Sequence, residues 1–181
     1  MKTYIKVALI LGSICAVSAL LLAFVNQVTE PVIKALASQE EIAALSDVAA
    51  GMKIGAKEAV ADSDLVKERY SLGNKEGWIL KMETNGYGGP ISLVASLLND
   101  GSIIAAKVVS SSETPGLGKK SELPGYMDMF IGKGASSQIP TSKDMLSSED
   151  SQAVSGASVT FTAISKALDS ASAYVKSIGG R

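Results

Sequence analysis

The domain is organised around the stretch Ser155-Gly156-Ala157-Ser158-Val159-Thr160, which follows a polar segment rich in helix-breaking residues and leads directly into a helical pattern. That pattern is the clearest amphipathic one in the chain, and it predicts a helix that begins near Thr162 and buries one face. Its apolar positions are Ile164, Ala167, Leu168, Ala171, Val175 and Ile178. The stretch therefore places hydroxyl side chains and a glycine at a helix N-terminus.

This helix N-terminus has two possible uses, and the residues alone leave both open. Free backbone N–H groups and the positive end of the helix dipole favour a phosphate or another anion. Gly156 lets the backbone approach such a group closely. Ser and Thr are also common N-cap residues, so an ordinary capped core helix is the simpler interpretation.

Two glycine-rich loops lie upstream of this stretch. The first, Glu113-Thr114-Pro115-Gly116-Leu117-Gly118, follows a predicted strand, and its Thr-Pro-Gly sequence fits a tight turn with the glycine at positive φ. The second, Gly86-Tyr87-Gly88-Gly89-Pro90-Ile91, joins two predicted strands and reverses the chain. Taken separately, both loops are turn signals.

Together the three stretches resemble the FMN-binding domain shared by RnfG and NqrC, which are subunits of membrane-bound electron-transport complexes. Residues 155–160 resemble its S-G-A-[ST]-x-[ST] flavinylation motif, residues 113–118 its E-T-P-G-L-G loop, and residues 86–91 its G-Y-G-G-x-I turn. The resemblance covers roughly residues 84–170, and the short chain with one anchor is closer to RnfG than to NqrC. Ser158 is a mild departure, because the family more often has Thr there.

The resemblance implies a covalent FMN, joined through its phosphate to the hydroxyl of Thr160 by a separate flavin transferase that uses FAD and Mg²⁺. It also implies that two groups of residues lie against the cofactor. These are Ser155, Gly156, Ala157 and Ser158 in the motif, and Glu113, Thr114, Gly116, Leu117 and Gly118 in the loop. No catalytic residue and no metal site are expected, because the flavin itself carries the redox chemistry.

The function implied by the resemblance is that of an electron-carrying subunit of an ion-translocating oxidoreductase. The complex moves electrons between ferredoxin and NAD and couples this flow to Na⁺ or H⁺ movement. Its other membrane, iron–sulfur and flavin subunits are the expected partners. Two alternatives remain open on the sequence: a free-standing membrane-tethered flavoprotein for extracellular electron transfer, and a non-redox membrane-anchored binding domain.

Composition excludes several other kinds of site. The chain has no His and one Cys, which excludes a cysteine iron–sulfur cluster, a Cys/His zinc site, an intrachain disulfide and a His-based catalytic triad. The net charge is −1 and aromatic residues make up 5%, so a nucleic-acid partner is not expected. Any redox chemistry must come from a bound cofactor.

The N-terminal region predicts a membrane anchor. Residues Val7–Val25 contain no charge, and nineteen helical residues span about 28 Å, close to the thickness of the hydrocarbon core. Lys2 and Lys6 precede the span and no cation follows it until Lys34, which predicts a cytoplasmic N-terminus and a flavin domain on the outer face of the plasma membrane. A cleaved signal peptide is the alternative, but the apolar run is longer than a usual signal core.

The rest of the chain predicts an α+β domain with a mainly antiparallel sheet and packed helices. Strands are predicted at residues 66–72, 78–84, 91–98 and 102–109, with Asn99-Asp100-Gly101 as a hairpin turn. Thr29-Glu30-Pro31 fits a helix start, and the helix predicted from there to about Ser46 either begins at this point or is continuous with the anchor. Residues 47–64 show no clear period. We therefore predict an anchor at 1–28, a helical linker and entry segment at 29–64, and an FMN-binding domain at 65–181.

Overall fold

A single long helix opens the structure, a computed structural model that describes residues 2–60 and 63–179. This helix, α1, runs over Lys2–Val48 and is long and apolar enough, by length and composition, to cross a membrane. Thr29-Glu30-Pro31 lies inside α1, so no helix starts there, and the helix that follows is continuous with the apolar span, as the second of the two sequence interpretations had it. Pro31 removes one backbone donor, but the helical pattern of Val32, Ile33 and Leu36 continues past it, and so does the helix.

The chain forms two compact units, one up to Glu41 and the other from Ile42 onward. The second unit starts well before residue 65, the domain boundary predicted from sequence. It includes the last turns of α1 and a strand, β1, over Ile54–Ala59. Part of the segment 29–64 thus belongs to the second unit. Because β1 is mostly exposed, its sequence lacks the alternation of apolar and polar residues that predicts a strand.

The second unit contains a five-stranded antiparallel sheet whose strands follow one another in chain order. After β1 come β2 (Val66–Leu72), β3 (Gly77–Asn85), β4 (Pro90–Leu98) and β5 (Ile103–Ser111). Three short 3-10 turns follow at Gly118–Glu122, Tyr126–Phe130 and Lys143–Met145, and then two helices, α2 (Ser148–Ala153) and α3 (Ser158–Gly179). The predicted α+β class with an antiparallel sheet is confirmed.

Both faces of the sheet are covered. Successive strand residues point to opposite faces, so Leu80 and Leu93 belong to one core cluster while their neighbours Ile79 and Val94 belong to another. The first cluster includes the buried face of α3, and the second includes the end of α1. Each fully buried Leu or Ile contributes roughly 1.5–3 kcal/mol relative to exposure. The two core clusters stabilise the sheet from both faces, and the sheet in turn fixes the positions of the loops at its ends.

Candidate functional site

The two glycine-rich loops meet at one end of the sheet because of the strand register. Thr84 of β3 pairs with Ile91 of β4, and Ile91 pairs in turn with Ser111 of β5. The turn after β3 and the loop after β5 are therefore neighbours, and the start of α3 lies beside them. They enclose a cavity of about 470 Å³. Its lining consists of Tyr87, Glu113, Thr114, Leu117, Gly118, Gly156, Ala157, Ser158, Val159 and Thr160.

A buried carboxylate ties the three segments together. Glu113 is 4% exposed and accepts hydrogen bonds on both of its oxygens. The backbone N–H of Gly88 donates to Oε1 at 3.0 Å. The hydroxyl of Thr160, which is 1% exposed, donates to Oε2 at 2.8 Å. One residue from each motif thus takes part in a single hydrogen-bonded group.

Two glycines leave the space that this carboxylate fills. A Cβ on Gly86 would lie 2.1 Å from Oε1 of Glu113, and a Cβ on Gly118 would lie 2.2 Å from Oε2 and 2.8 Å from the Thr160 hydroxyl oxygen. These distances are far below van der Waals contact, so a larger residue at either position would displace Glu113. The two motif glycines therefore make room for the pair of Glu113 and Thr160.

The loop that carries Glu113 is closed by a tight turn. The N–H of Leu117 donates to the carbonyl of Thr114 at 3.2 Å, and Gly116 has φ of +76°, as predicted for this turn. Leu117 is 45% exposed and forms part of the cavity wall. Lys119, just beyond the turn, pairs with Glu122 at 3.2 Å.

Helix α3 begins at Ser158, earlier than the start near Thr162 expected from the sequence. The N–H of Phe161 donates to the carbonyl of Ala157 at 3.0 Å, which makes Ala157 the N-cap. An alanine has no side-chain oxygen with which to cap the helix. The first N–H groups of α3 have no partner within the helix, and they lie beside the cavity.

Ser158 and Thr160 therefore both belong to the first turn of α3, but their environments differ. The side chain of Ser158 is exposed at the cavity. The side chain of Thr160 is buried in the cavity wall, with its hydroxyl held against Glu113. Ser158 is the more accessible of the two hydroxyls, whereas Thr160 has a carboxylate in position to accept its proton.

The residues predicted for the site mostly converge. Glu113, Thr114, Leu117, Gly118, Gly156, Ala157, Ser158 and Thr160 all line the cavity, whereas Ser155 and Gly116 do not. Sequence reasoning missed Tyr87 and Val159, which are 78% and 54% exposed and line the same cavity. A tyrosine among glycines on a turn has little to pack against, and this was the available signal for Tyr87.

Charge is sparse in the cavity. Among the described residues that line it, Glu113 is the one charged side chain. A neighbouring cavity of about 460 Å³ shares Ser158 and Val159 with the first and has Lys166 in its wall. Within residues 2–60 and 63–179 there is no group of His, Cys, Asp and Glu that could hold a metal ion.

Two protein-family models match the chain. One, the FMN-binding domain, matches residues 86–173, which include all three motifs. The other, the RnfG N-terminal region, matches residues 1–48, which correspond to α1.

Relatives of known identity align with almost the whole chain. The G subunit of the proton-translocating ferredoxin:NAD(+) oxidoreductase complex of Clostridium ljungdahlii is 30% identical over 92% of this chain and 88% of its own length. The G subunit of the Na(+)-translocating ferredoxin:NAD(+) oxidoreductase complex of Acetobacterium woodii is 29% identical over 93% and 89%. The G subunit of the ion-translocating oxidoreductase complex of Methanosarcina acetivorans is 30% identical over 99% and 98%.

The matches agree with the architecture: an apolar N-terminal helix, then an α+β domain with a cavity formed by the three motifs. The chain therefore belongs to the RnfG family, the G subunits of ion-translocating oxidoreductase complexes, and carries that family's FMN-binding domain.

Proposed function

We propose that this subunit carries FMN covalently, through a phosphoester to the hydroxyl of Thr160, and relays electrons within a membrane complex. The observation that carries the proposal is the position of Thr160. It lies in the first turn of α3, beside free N–H groups, in the wall of a 470 Å³ cavity where all three motifs meet. Ser158, two residues earlier and exposed, is the competing acceptor.

The residues present fit a flavin phosphate and a flavin ring. A phosphodiester keeps one negative charge, which the free N–H groups and the dipole of α3 stabilise. Tyr87, Leu117 and Val159 leave apolar surface exposed at the cavity, and a flat ring system would cover that surface. The cavity volume lies within the range of small-molecule sites.

Attachment at Thr160 requires residues 114–118 of the loop to move, while Glu113 keeps its hydrogen bond from the N–H of Gly88. The Thr160 side chain is 1% exposed, and Gly118 lies so close that a Cβ there would be 2.8 Å from the hydroxyl oxygen. A transferase can therefore reach the hydroxyl once residues 114–118 have shifted. Leu117, which is 45% exposed at the tip of the turn, has little packing to hold that part of the loop in place.

Each part of the site then has a task. The covalent bond to Thr160 prevents dissociation of the cofactor. The start of α3 stabilises its phosphate, and the exposed apolar side chains exclude water from its ring. Bound FMN supplies transfer of one or two electrons at a time. The domain needs no acid–base residues of its own for that relay.

The partners follow from the family. Relatives are named as subunits of complexes that act on ferredoxin and NAD(+) and translocate protons or Na(+). We propose that this chain is the corresponding electron carrier, that the other subunits of such a complex are its donor and acceptor, and that a flavin transferase attaches the FMN from FAD. Ion movement belongs to the assembly.

The test of attachment is the intact mass of the full-length protein expressed with and without a flavin transferase. We expect a mass increase equal to one FMN minus water, seen only with the transferase. Peptide mapping should place it on the peptide containing residues 155–160 and, by fragmentation, on Thr160. An unmodified mass with no yellow colour would favour a non-redox binding domain, and FMN on Ser158 would move the acceptor by two residues.

We also propose that α1 spans the membrane with its N-terminus in the cytoplasm and the flavin domain on the outer face. Lys2 and Lys6 precede the apolar span, whereas the first cation after it, Lys34, is paired with Glu30 at 2.6 Å. Protease added to intact spheroplasts should then digest the flavin domain. A domain protected in spheroplasts but cut in inside-out vesicles would reverse this topology.

A further inference from the structure

The hydrogen bond between Thr160 and Glu113 points to a role for Glu113 before the flavin is in place. We propose that Glu113 is the general base of flavin attachment, accepting the proton of the Thr160 hydroxyl as that oxygen attacks phosphorus. The acceptor protein would thus supply part of the chemistry of its own modification. The inference rests on the proposed function, since it requires Thr160 to be the acceptor.

The geometry meets the first requirement of a general base, which is contact with the proton to be removed. The hydroxyl of Thr160 donates to Oε2 of Glu113 at 2.8 Å, within the reach expected of a nucleophile and its base. The other oxygen accepts the N–H of Gly88 at 3.0 Å, which fixes the orientation of the carboxylate. The nucleophile, its base and a group that orients the base are therefore all present.

The carboxylate of Glu113 faces the Thr160 hydroxyl from a buried position in the cavity wall. Glu113 is 4% exposed, and among the described residues that line the cavity no cation competes for its charge. Gly86 and Gly118 lie so close that a Cβ on either would overlap a carboxylate oxygen. Both glycines therefore leave room for the carboxylate, and the hydrogen bonds from Gly88 and Thr160 orient it toward the Thr160 hydroxyl.

The step balances when FAD is the donor. The Thr160 oxygen forms a bond to the phosphorus of the FMN half, and the pyrophosphate bond to the AMP half breaks. AMP leaves with the electron pair of that bond, and the Thr160 proton passes to Oε2 of Glu113. The new phosphodiester carries a negative charge beside the carboxyl group, and a neutral carboxyl avoids repulsion between two like charges.

The test is the rate at which full-length protein in detergent acquires FMN from FAD, Mg²⁺ and a purified flavin transferase, followed by intact mass. Wild type is compared with Glu113→Gln, which keeps the size of the side chain and cannot accept the proton. We expect loading to slow by at least about a hundredfold, the lower end of what general bases contribute. The matched control is Glu122→Gln, which removes the same charge from the partner of Lys119, outside the cavity, and should load at the wild-type rate.

The dependence on pH separates a base from a residue that only positions Thr160. The loading rate of Glu113→Gln is divided by the wild-type loading rate at each pH, so that the transferase's own pH response cancels. Without Glu113 the proton must pass to hydroxide or water, so the ratio should rise between about pH 7 and about pH 9. A ratio that does not change with pH overturns the inference. So does a loading rate of Glu113→Gln that is less than about tenfold below the wild-type rate.

A second variant covers the case in which Glu113→Gln does not fold. Glu113→Asp keeps the charge and withdraws the carboxylate by one methylene from the Thr160 hydroxyl, and it should load at least about tenfold more slowly because reacting groups tolerate little misplacement. Loading of Glu113→Asp at the wild-type rate overturns the inference. Failure of the proposed function is distinct, because it appears as wild-type protein that acquires no FMN, or acquires it on Ser158.

Discussion

Replacing Thr160 with valine should abolish all flavin that survives denaturation, whereas Ser158→Ala should retain it. Valine keeps the volume of the buried side chain and removes the oxygen through which the phosphoester would form. Ser158 is exposed at the cavity, so its loss changes the surroundings of the flavin and not its attachment. The readout is flavin fluorescence in a denaturing gel after co-expression with a flavin transferase.

The two variants are a matched pair, since each removes one hydroxyl from the same helical turn. Thermal unfolding of the unloaded proteins separates attachment from stability. Ser158→Ala should unfold near the wild-type temperature because Ser158 is exposed, while Thr160→Val should lose roughly 1–3 kcal/mol because one buried carboxylate oxygen is left without its donor. Thr160→Ser, which keeps the hydroxyl, should still load. Fluorescence that persists in Thr160→Val and vanishes in Ser158→Ala would assign the attachment to Ser158.

Deleting residues 1–41 should leave a folded, soluble flavin domain, whereas deleting residues 1–49 should unfold it. The second compact unit begins at Ile42, and none of the described residues before it, 2–41, is buried. The longer deletion also removes Ala44, Leu45, Val48 and Ala49, all 9% exposed or less, which cover one face of the sheet. Losing Leu45 and Val48 alone costs roughly 3–6 kcal/mol, a large part of the roughly 5–15 kcal/mol that holds a typical domain together.

Urea unfolding followed by circular dichroism compares the two truncations. The protein that lacks residues 1–41 should show one cooperative transition and, when exported together with the transferase, should still acquire FMN. The protein that lacks residues 1–49 should lack the transition or aggregate. Equal stability of the two proteins would mean that the end of α1 is not part of the core.

The sequence predicted most of the sheet because its strands are apolar and their turns carry strong signals. The observed β2 coincides with the predicted 66–72, and β3 to β5 differ from prediction by a residue or two at their ends. Strand β1 was not predicted because it is mostly exposed and lies at the edge of the sheet. Residues 54–59 form a strand because they pair with β2, and pairing with another segment leaves no pattern in the sequence of the strand itself.

The sequence predicted the segments that form the site but not the contacts between their side chains. The motifs indicated which segments converge, but the contact between Thr160 and Glu113 joins residues 47 positions apart and has no local signal. It also depends on where α3 begins. Residues two apart on a helix are related by a rotation of about 200° around the axis and so lie on nearly opposite faces. Ser158 therefore faces outward while Thr160 faces Glu113. Placing the helix start near Thr162 leaves both residues in a loop and hides this difference.

The end of α1 has a consequence for how the protein is made. Residues 42–48 leave the ribosome early, yet they complete a core cluster whose other members include Ile79 and Val94. Contacts between such distant parts of the chain form late. Until they form, one face of the nascent sheet stays open, and exposed apolar surface of this kind promotes aggregation. The newly synthesised subunit therefore passes through a stage at which it can aggregate, and its yield should depend on how quickly the sheet closes against the last turns of α1.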